Sequence, residues 1–148
     1  MMKGNGKMKK IVMCMALTVL AGCAATPKGL RVVDLRDPEY FRAEHIIPLT
    51  FPKIQMALFK HQAACGSAPE FSMDPRQTNY ATLIQKPAGA SSFERAVLAD
   101  LTQFQGTMMA GSRTRAQVYT YYADAAADKQ IADLFAAIAH PEVCPDAK

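Results

Sequence analysis

RTRAQVYTYYADAAADKQIADLFAAIAHPEVC, running from Arg113 to Cys144, decides the fold class because its apolar period changes partway along. Up to Tyr122, the residues Ala116, Val118, Thr120 and Tyr122 alternate with Arg113, Arg115, Gln117, Tyr119 and Tyr121, which is the period of a strand with one mostly apolar side. From Asp124 onward the repeat lengthens. Ile131, Leu134, Phe135 and Ile138 recur every three or four residues on an alanine-rich background, so they share one face of a helix. Asp124 is a capping residue type, and His140-Pro141 stops the helix.

Working back from this segment, Thr50-Phe51-Pro52 reads as a second helix start, with a hydroxyl cap and a proline where a missing N–H is tolerated. Phe51, Ile54, Leu58, His61 and Cys65 form its stripe, and Gly66 is suited to the left-handed closing position. His61 on that stripe reads as a packing residue rather than a base. Between the two helices, Pro69 to Met73, Asn79 to Lys86 and Phe93 to Leu101 read as strands, separated by Asp74-Pro75 and by the breaker-rich Pro87-Ala88-Gly89-Ala90-Ser91. Upstream, Leu30 to Leu35 is a short strand candidate, and Glu39 to His45 reads as a brief helix or irregular link. Ile46 to Leu49 is extended or a strand edge, since Pro48 biases its predecessor away from the α region. The expected architecture is α+β: a curved antiparallel sheet of about four strands with two helices packed on one face, in a single domain over residues 30–148.

The N-terminus reads differently. Lys3, Lys7, Lys9 and Lys10 precede Ile11 to Ala21, eleven residues without a charge. A basic segment followed by a short apolar one is the pattern of a cleaved export signal, and a retained membrane helix needs roughly 20 residues. Leu20-Ala21-Gly22-Cys23 closes that segment and resembles the lipobox of bacterial lipoproteins. The resemblance implies a signal peptide over 1–22, removed before an acylated Cys23, with 23–29 as a tether. Ala24 in place of an aspartate implies sorting to the outer membrane, with the domain facing the periplasm. Phe51 to Gly66, Phe93 to Tyr122 and Cys144-Pro145 are further similar to small proteobacterial lipoproteins with an α+β domain. The order of elements also resembles half of the helix-grip fold of lipid-carrying domains, an analogy of fold only.

Removing the signal changes the charge argument. The whole chain has 17 basic and 13 acidic residues and a formal charge of +4, and four of the basic residues are the leader lysines. The mature chain is then near neutral, with no basic footprint for nucleic acid. Cys14 departs with the signal and Cys23 carries lipid, which leaves Cys65 and Cys144. In an oxidising compartment these are expected to pair, two separate buried thiols being the alternative. With His45, His61 and His140 scattered, no zinc-type ligand spacing is present, and no metal or cofactor is expected.

Val33 to Ile46 resembles the opening of a rhodanese, the sulfur-transfer domain, with Glu44 where that family usually has glycine. The resemblance implies a cysteine heading an anion-binding loop. The available Cys65 is followed by Gly66-Ser67-Ala68-Pro69 with no arginine to lower its pKa, so Asp34 to His45 reads as a surface turn. Ser67, Ser72, Ser91, Ser92 and Ser112 stand outside any nucleophile-elbow pattern. The expectation is a non-catalytic, lipid-anchored envelope protein, structural or adaptor-like. Arg113, Arg115, Tyr119 and Tyr121 are its candidate interaction patch for an envelope protein or peptidoglycan. The alternative is a carrier of a small apolar ligand or lipid in a pocket lined by Leu83, Val97, Val118, Leu134 and Phe135.

Overall fold

Helix α1 (Phe51–Cys65) forms where the sequence supplies a first-turn proline, and it buries Phe51, Ile54, Leu58 and His61 along one side. Gly66 ends it at φ +76°, a conformation open to a residue without a Cβ, and its N–H donates to the Gln62 carbonyl at 2.9 Å. Thr50 precedes the helix in an extended conformation, but its hydroxyl makes no capping bond. The free Phe51 N–H is taken instead by the Gln103 side chain, 52 residues further on. The computed structural model describes residues 29–145. The signal, Cys23 and the tether up to residue 28 lie outside the described residues.

Those residues contain five strands: β1 (Phe41–Ile47), β2 (Glu70–Met73), β3 (Tyr80–Gln85), β4 (Val97–Phe104) and β5 (Arg113–Thr120). They build one antiparallel sheet in the order β1-β5-β4-β3-β2. Helix α2 (Ala125–Ala139) follows β5, with the Asp124 carboxylate accepting from Ala127 N–H at 2.8 Å and His140 as its last cap. Both helices lie on one face. There Phe51, Ile54, Leu58, Leu134 and Ile138 pack on rows in which large and small side chains alternate across the strands: Ala81, Leu101 and Ala116 in one, Leu83, Ala99 and Val118 in the next. Such alternation lets the helices seat closely. Two buried hydroxyls in β5 donate to backbone carbonyls, Thr114 to that of Leu49 ahead of α1 and Thr120 to that of Tyr122.

The structure corrects the expected curved sheet of about four strands. The sheet has five strands and is open, with β1 and β2 at its two free edges. The added strand is β1: its residues 41–45 fall in the stretch read as a helix or irregular link, and only Ile46 and Ile47 fall in the stretch read as extended or a strand edge. It lies at an edge and is mostly exposed, with a register break between Phe41 and Ala43, so it has little of the alternation by which a half-buried strand is recognised. A second correction concerns Leu30 to Leu35, which form no strand. The Asp34 carboxylate accepts from the Arg31 N–H at 2.9 Å and from its guanidinium, folding the chain into a short 3-10 turn over Asp34–Arg36. A second turn, Pro38–Tyr40, leads into β1. Strand β4 begins at Val97 rather than Phe93, and β5 ends at Thr120, two residues before Tyr122.

A disulfide joins Cys65, the last residue of α1, to Cys144, beyond the end of α2, with 5.4 Å between the Cα atoms. Beside it the buried His61 places Nδ1 3.0 Å from the Pro141 carbonyl and 3.6 Å from the Cys65 sulfur. The bridge thus fastens the two helices at the same end. Among the described residues, no helix is long and apolar enough to cross a membrane.

Candidate functional site

The face of the sheet without helices is divided in two. Over one half, the N-terminal segment folds back so that Leu30, Val32 and Leu35 pack on Ile84, Leu98, Phe93 and Tyr119. These apolar side chains on a segment otherwise full of charges are the reason it lies down on the sheet. At the border of the covered half, Arg36 reaches over the centre of the sheet and grips Asp100 with two parallel bonds, Nε to Oδ2 at 2.7 Å and Nη2 to Oδ1 at 2.8 Å. Nη2 also donates to the Thr82 hydroxyl at 3.2 Å, which in turn donates to Asp100. The forked geometry is the stronger kind of arginine–carboxylate pairing. The hydrogen bond to Asp100, reinforced by its charge, holds Arg36 above its ordinary pKa.

Over the uncovered half lies a cleft of about 480 Å³, with Asp100 and Thr82 in its floor and Ser72, Tyr80, Thr102 and Gln117 around them. Register explains the grouping. Thr82 pairs with Asp100 and Asp100 with Gln117, while Tyr80 pairs with Thr102, so side chains from three neighbouring strands point the same way. The β2–β3 turn makes the rim. Asp74 Oδ1 accepts from Arg76 N–H at 2.7 Å, Asp74 N–H donates to the Tyr80 carbonyl at 3.0 Å, and Tyr80 N–H donates to the Gln77 carbonyl at 3.1 Å.

The four residues of the expected patch are placed in two groups. Arg113 and Arg115 lie near the β4–β5 turn, where the Arg115 guanidinium sits 5.4 Å from the Phe104 ring centre and 3.9 Å from Glu44 Oε2. Tyr119 lies toward the other end of β5, edge-on to Phe41 at 5.8 Å. Tyr121, past the strand end, packs on Tyr40 at 5.1 Å and on Tyr122 at 4.9 Å. Arg95 covers Tyr122 at 4.0 Å and pairs with Asp124 at 2.7 Å. A hydrogen bond with Glu39 raises the Tyr40 hydroxyl to a pKa of about 12.

Of the residues expected to line an apolar pocket, Leu83, Val97, Val118 and Leu134 are fully buried in the packed core. Only Phe135 meets an apolar groove of about 450 Å³ on the outside, between β1 and α2, where Ile47, Leu49 and Ile138 join it and His45 stacks on it at 4.3 Å. Cys65, the thiol that the rhodanese resemblance implies as reactive, is bonded to Cys144. Among the described residues, no group of three or more His, Cys, Asp or Glu side chains is placed to hold a metal ion. Cys23 lies outside the described residues.

The Arg36–Asp100 pair escapes sequence reading because its partners are 64 residues apart. One signal was there: Asp100 is a lone charge within Val97-Leu98-Ala99-Asp100-Leu101, a run otherwise apolar, and aspartate is disfavoured in strand interiors. No protein-family model matches the sequence, and no curated protein or solved structure is significantly similar to it.

Proposed function

We propose that this chain is an exported, lipid-anchored envelope protein without a catalytic role, acting as a structural or adaptor-like binding module. Its working surface is the uncovered half of the helix-free sheet face. The observation that carries this reading is the cleft over Asp100: a ligand-sized hollow whose floor is preset by a forked ion pair and whose walls present hydroxyl and amide groups. The Cys65–Cys144 bridge supports the export half of the reading, since such bonds persist in oxidising compartments. So does Leu20-Ala21-Gly22-Cys23 at the end of a leader too short to stay as a span. Anchored through acyl chains on Cys23, the domain would face the periplasm from the outer membrane and meet an envelope protein or peptidoglycan.

The test is cell fractionation followed by intact-mass measurement without reductant. The expected result is a membrane-bound form that begins at Cys23, carries acyl chains and lacks two hydrogen atoms for the bridge. In the Cys23→Ala variant the acyl mass disappears and the protein leaves the outer-membrane fraction. A soluble chain that still begins at Met1 overturns the proposal. A second reading, carriage of a small apolar molecule, is favoured by the groove of Ile47, Leu49, Phe135 and Ile138. Gentle extraction followed by native mass measurement tests it. A bound lipid lost on Phe135→Ser supports it, and a ligand-free mass under those conditions removes it.

A further inference from the structure

The cleft over Asp100 has a chemistry narrow enough to name its ligand class. Resting on the reading of this face as the binding surface, we infer that the cleft binds a neutral, hydroxyl-rich saccharide chain, with Tyr80 as its stacking platform.

Charge excludes the other classes first. Arg36 is committed to Asp100 and Thr82 through all three of its contacts in the floor, so it offers no free cation to a phosphate or carboxylate. Asp74 on the rim adds a negative charge, which repels anions further. Asp100 offers a cation little, because the guanidinium that grips it already balances its charge, and Asp74 is a single rim carboxylate with one oxygen turned to the Arg76 N–H, which leaves no paired carboxylates for a cation. An apolar molecule would strip water from Ser72, Thr82, Thr102 and Gln117 without replacing its hydrogen bonds, which is unfavourable for each group.

What remains is a neutral ligand rich in groups that both donate and accept. Sugar hydroxyls do both, and so do the hydroxyls of Thr102 and Ser72 and the amide of Gln117. The strand register places Ser72 and Gln117 three strands apart, about 14 Å, with Thr102 on the neighbouring row between them, a span on the scale of about three sugar rings. A pyranose also has a flat face of C–H bonds that prefers an aromatic surface. Tyr80 provides one: it lines the cleft, it is 41% exposed, and Met73 beside it is 47% exposed. The backbone that carries the platform is held in place. Both the N–H and the carbonyl of Tyr80 are bonded within the rim turn, and the neighbouring Asn79 carbonyl accepts from Gln103 N–H at 2.9 Å. A site already ordered loses little freedom on binding.

The experiment is titration calorimetry on the detergent-solubilised, disulfide-intact full-length protein with two neutral probes, a chitin trisaccharide and maltotriose, and one anionic probe, a triuronate. The chain has no tryptophan, so heat is a better signal than fluorescence. Saturable binding of a neutral probe is expected, weakened roughly tenfold or more by Tyr80→Ala and by Gln117→Ala. The thermal midpoint of those two variants should match that of the parent, which separates lost contact from lost fold. Which neutral probe binds tells an N-acetylated wall glycan from a plain hexose chain, and either supports the inference. It is overturned if neither neutral probe binds up to about 10 mM, if binding survives both substitutions, or if the triuronate binds tighter. Failure here leaves the membrane attachment read at Cys23 untouched, so the two proposals fall separately.

Discussion

Removing the bridge, by Cys65→Ala together with Cys144→Ala, perturbs the unfolded chain more than the folded one. The two cysteines are 79 residues apart. Loop-closure entropy for a ring of that size gives about 4.5 kcal/mol at room temperature. For a domain of this length each kcal/mol moves the thermal midpoint by about 4 °C, so the expected drop is about 18 °C. Urea denaturation gives an independent reading. The midpoint should fall and the slope should rise, because the unbridged unfolded chain exposes more surface to denaturant. The folded contacts next to the bridge, His61 to the Pro141 carbonyl above all, should stay in place. A loss below about 1 kcal/mol with an unchanged slope refutes the reasoning. It would mean that the bridge does not restrict the unfolded ensemble, and that helix packing alone holds the Cys144 segment.

Three further outcomes follow from single positions. Leu134→Ala removes a fully buried side chain at the meeting of α2 with the sheet and should cost about 2–5 kcal/mol in chemical denaturation, with the far-ultraviolet spectrum retained. Gly66→Ala meets no atom within 4 Å of the new Cβ, so its cost is conformational only, about 1 kcal/mol from the positive φ, and Gly66→Asn should recover part of it. In acid, the hydrogen bond from Arg31 lowers the Asp34 carboxyl to about 2 from an ordinary 3.8. Its stabilising effect is therefore complete above about pH 4 and is lost as the pH falls toward 2. Near-ultraviolet circular dichroism of the tyrosines over that range should change in the parent and change less in Asp34→Asn.

Both helices were legible because their signals are local and redundant. A stripe every three or four residues, a proline at one start, an aspartate at the other, and a glycine or His-Pro at the ends all agree. Strand parity in β3 and β5 was legible for a similar reason. Ala81 and Leu83, like Ala116 and Val118, alternate against a face that is mostly polar or aromatic. Strand β1 was hidden because pairing with β5 makes it a strand, and an edge partner need not alternate. Leu30 to Leu35 misled because an alternating pair of apolar residues fits a turn lying on a sheet as well as a strand, and only the Asp34–Arg31 bonds decide. The cleft was out of reach of local reading, since Ser72, Tyr80, Asp100 and Gln117 come from four strands and meet only through register. The patch that was legible, Arg113, Arg115, Tyr119 and Tyr121, runs along β5 and one residue past its end, and its side chains serve two separate neighbourhoods.

An open sheet offers unpaired backbone at both margins, and such margins recruit copies of themselves into aggregates. Here each margin is blunted. At one, the register break after Phe41 interrupts the template and Arg42 and Glu44 put charge along it. At the other, β2 is four residues long, too short to nucleate a stable ladder. Crowded side by side, copies of the domain should therefore remain separate molecules instead of zipping into a continuous fibre.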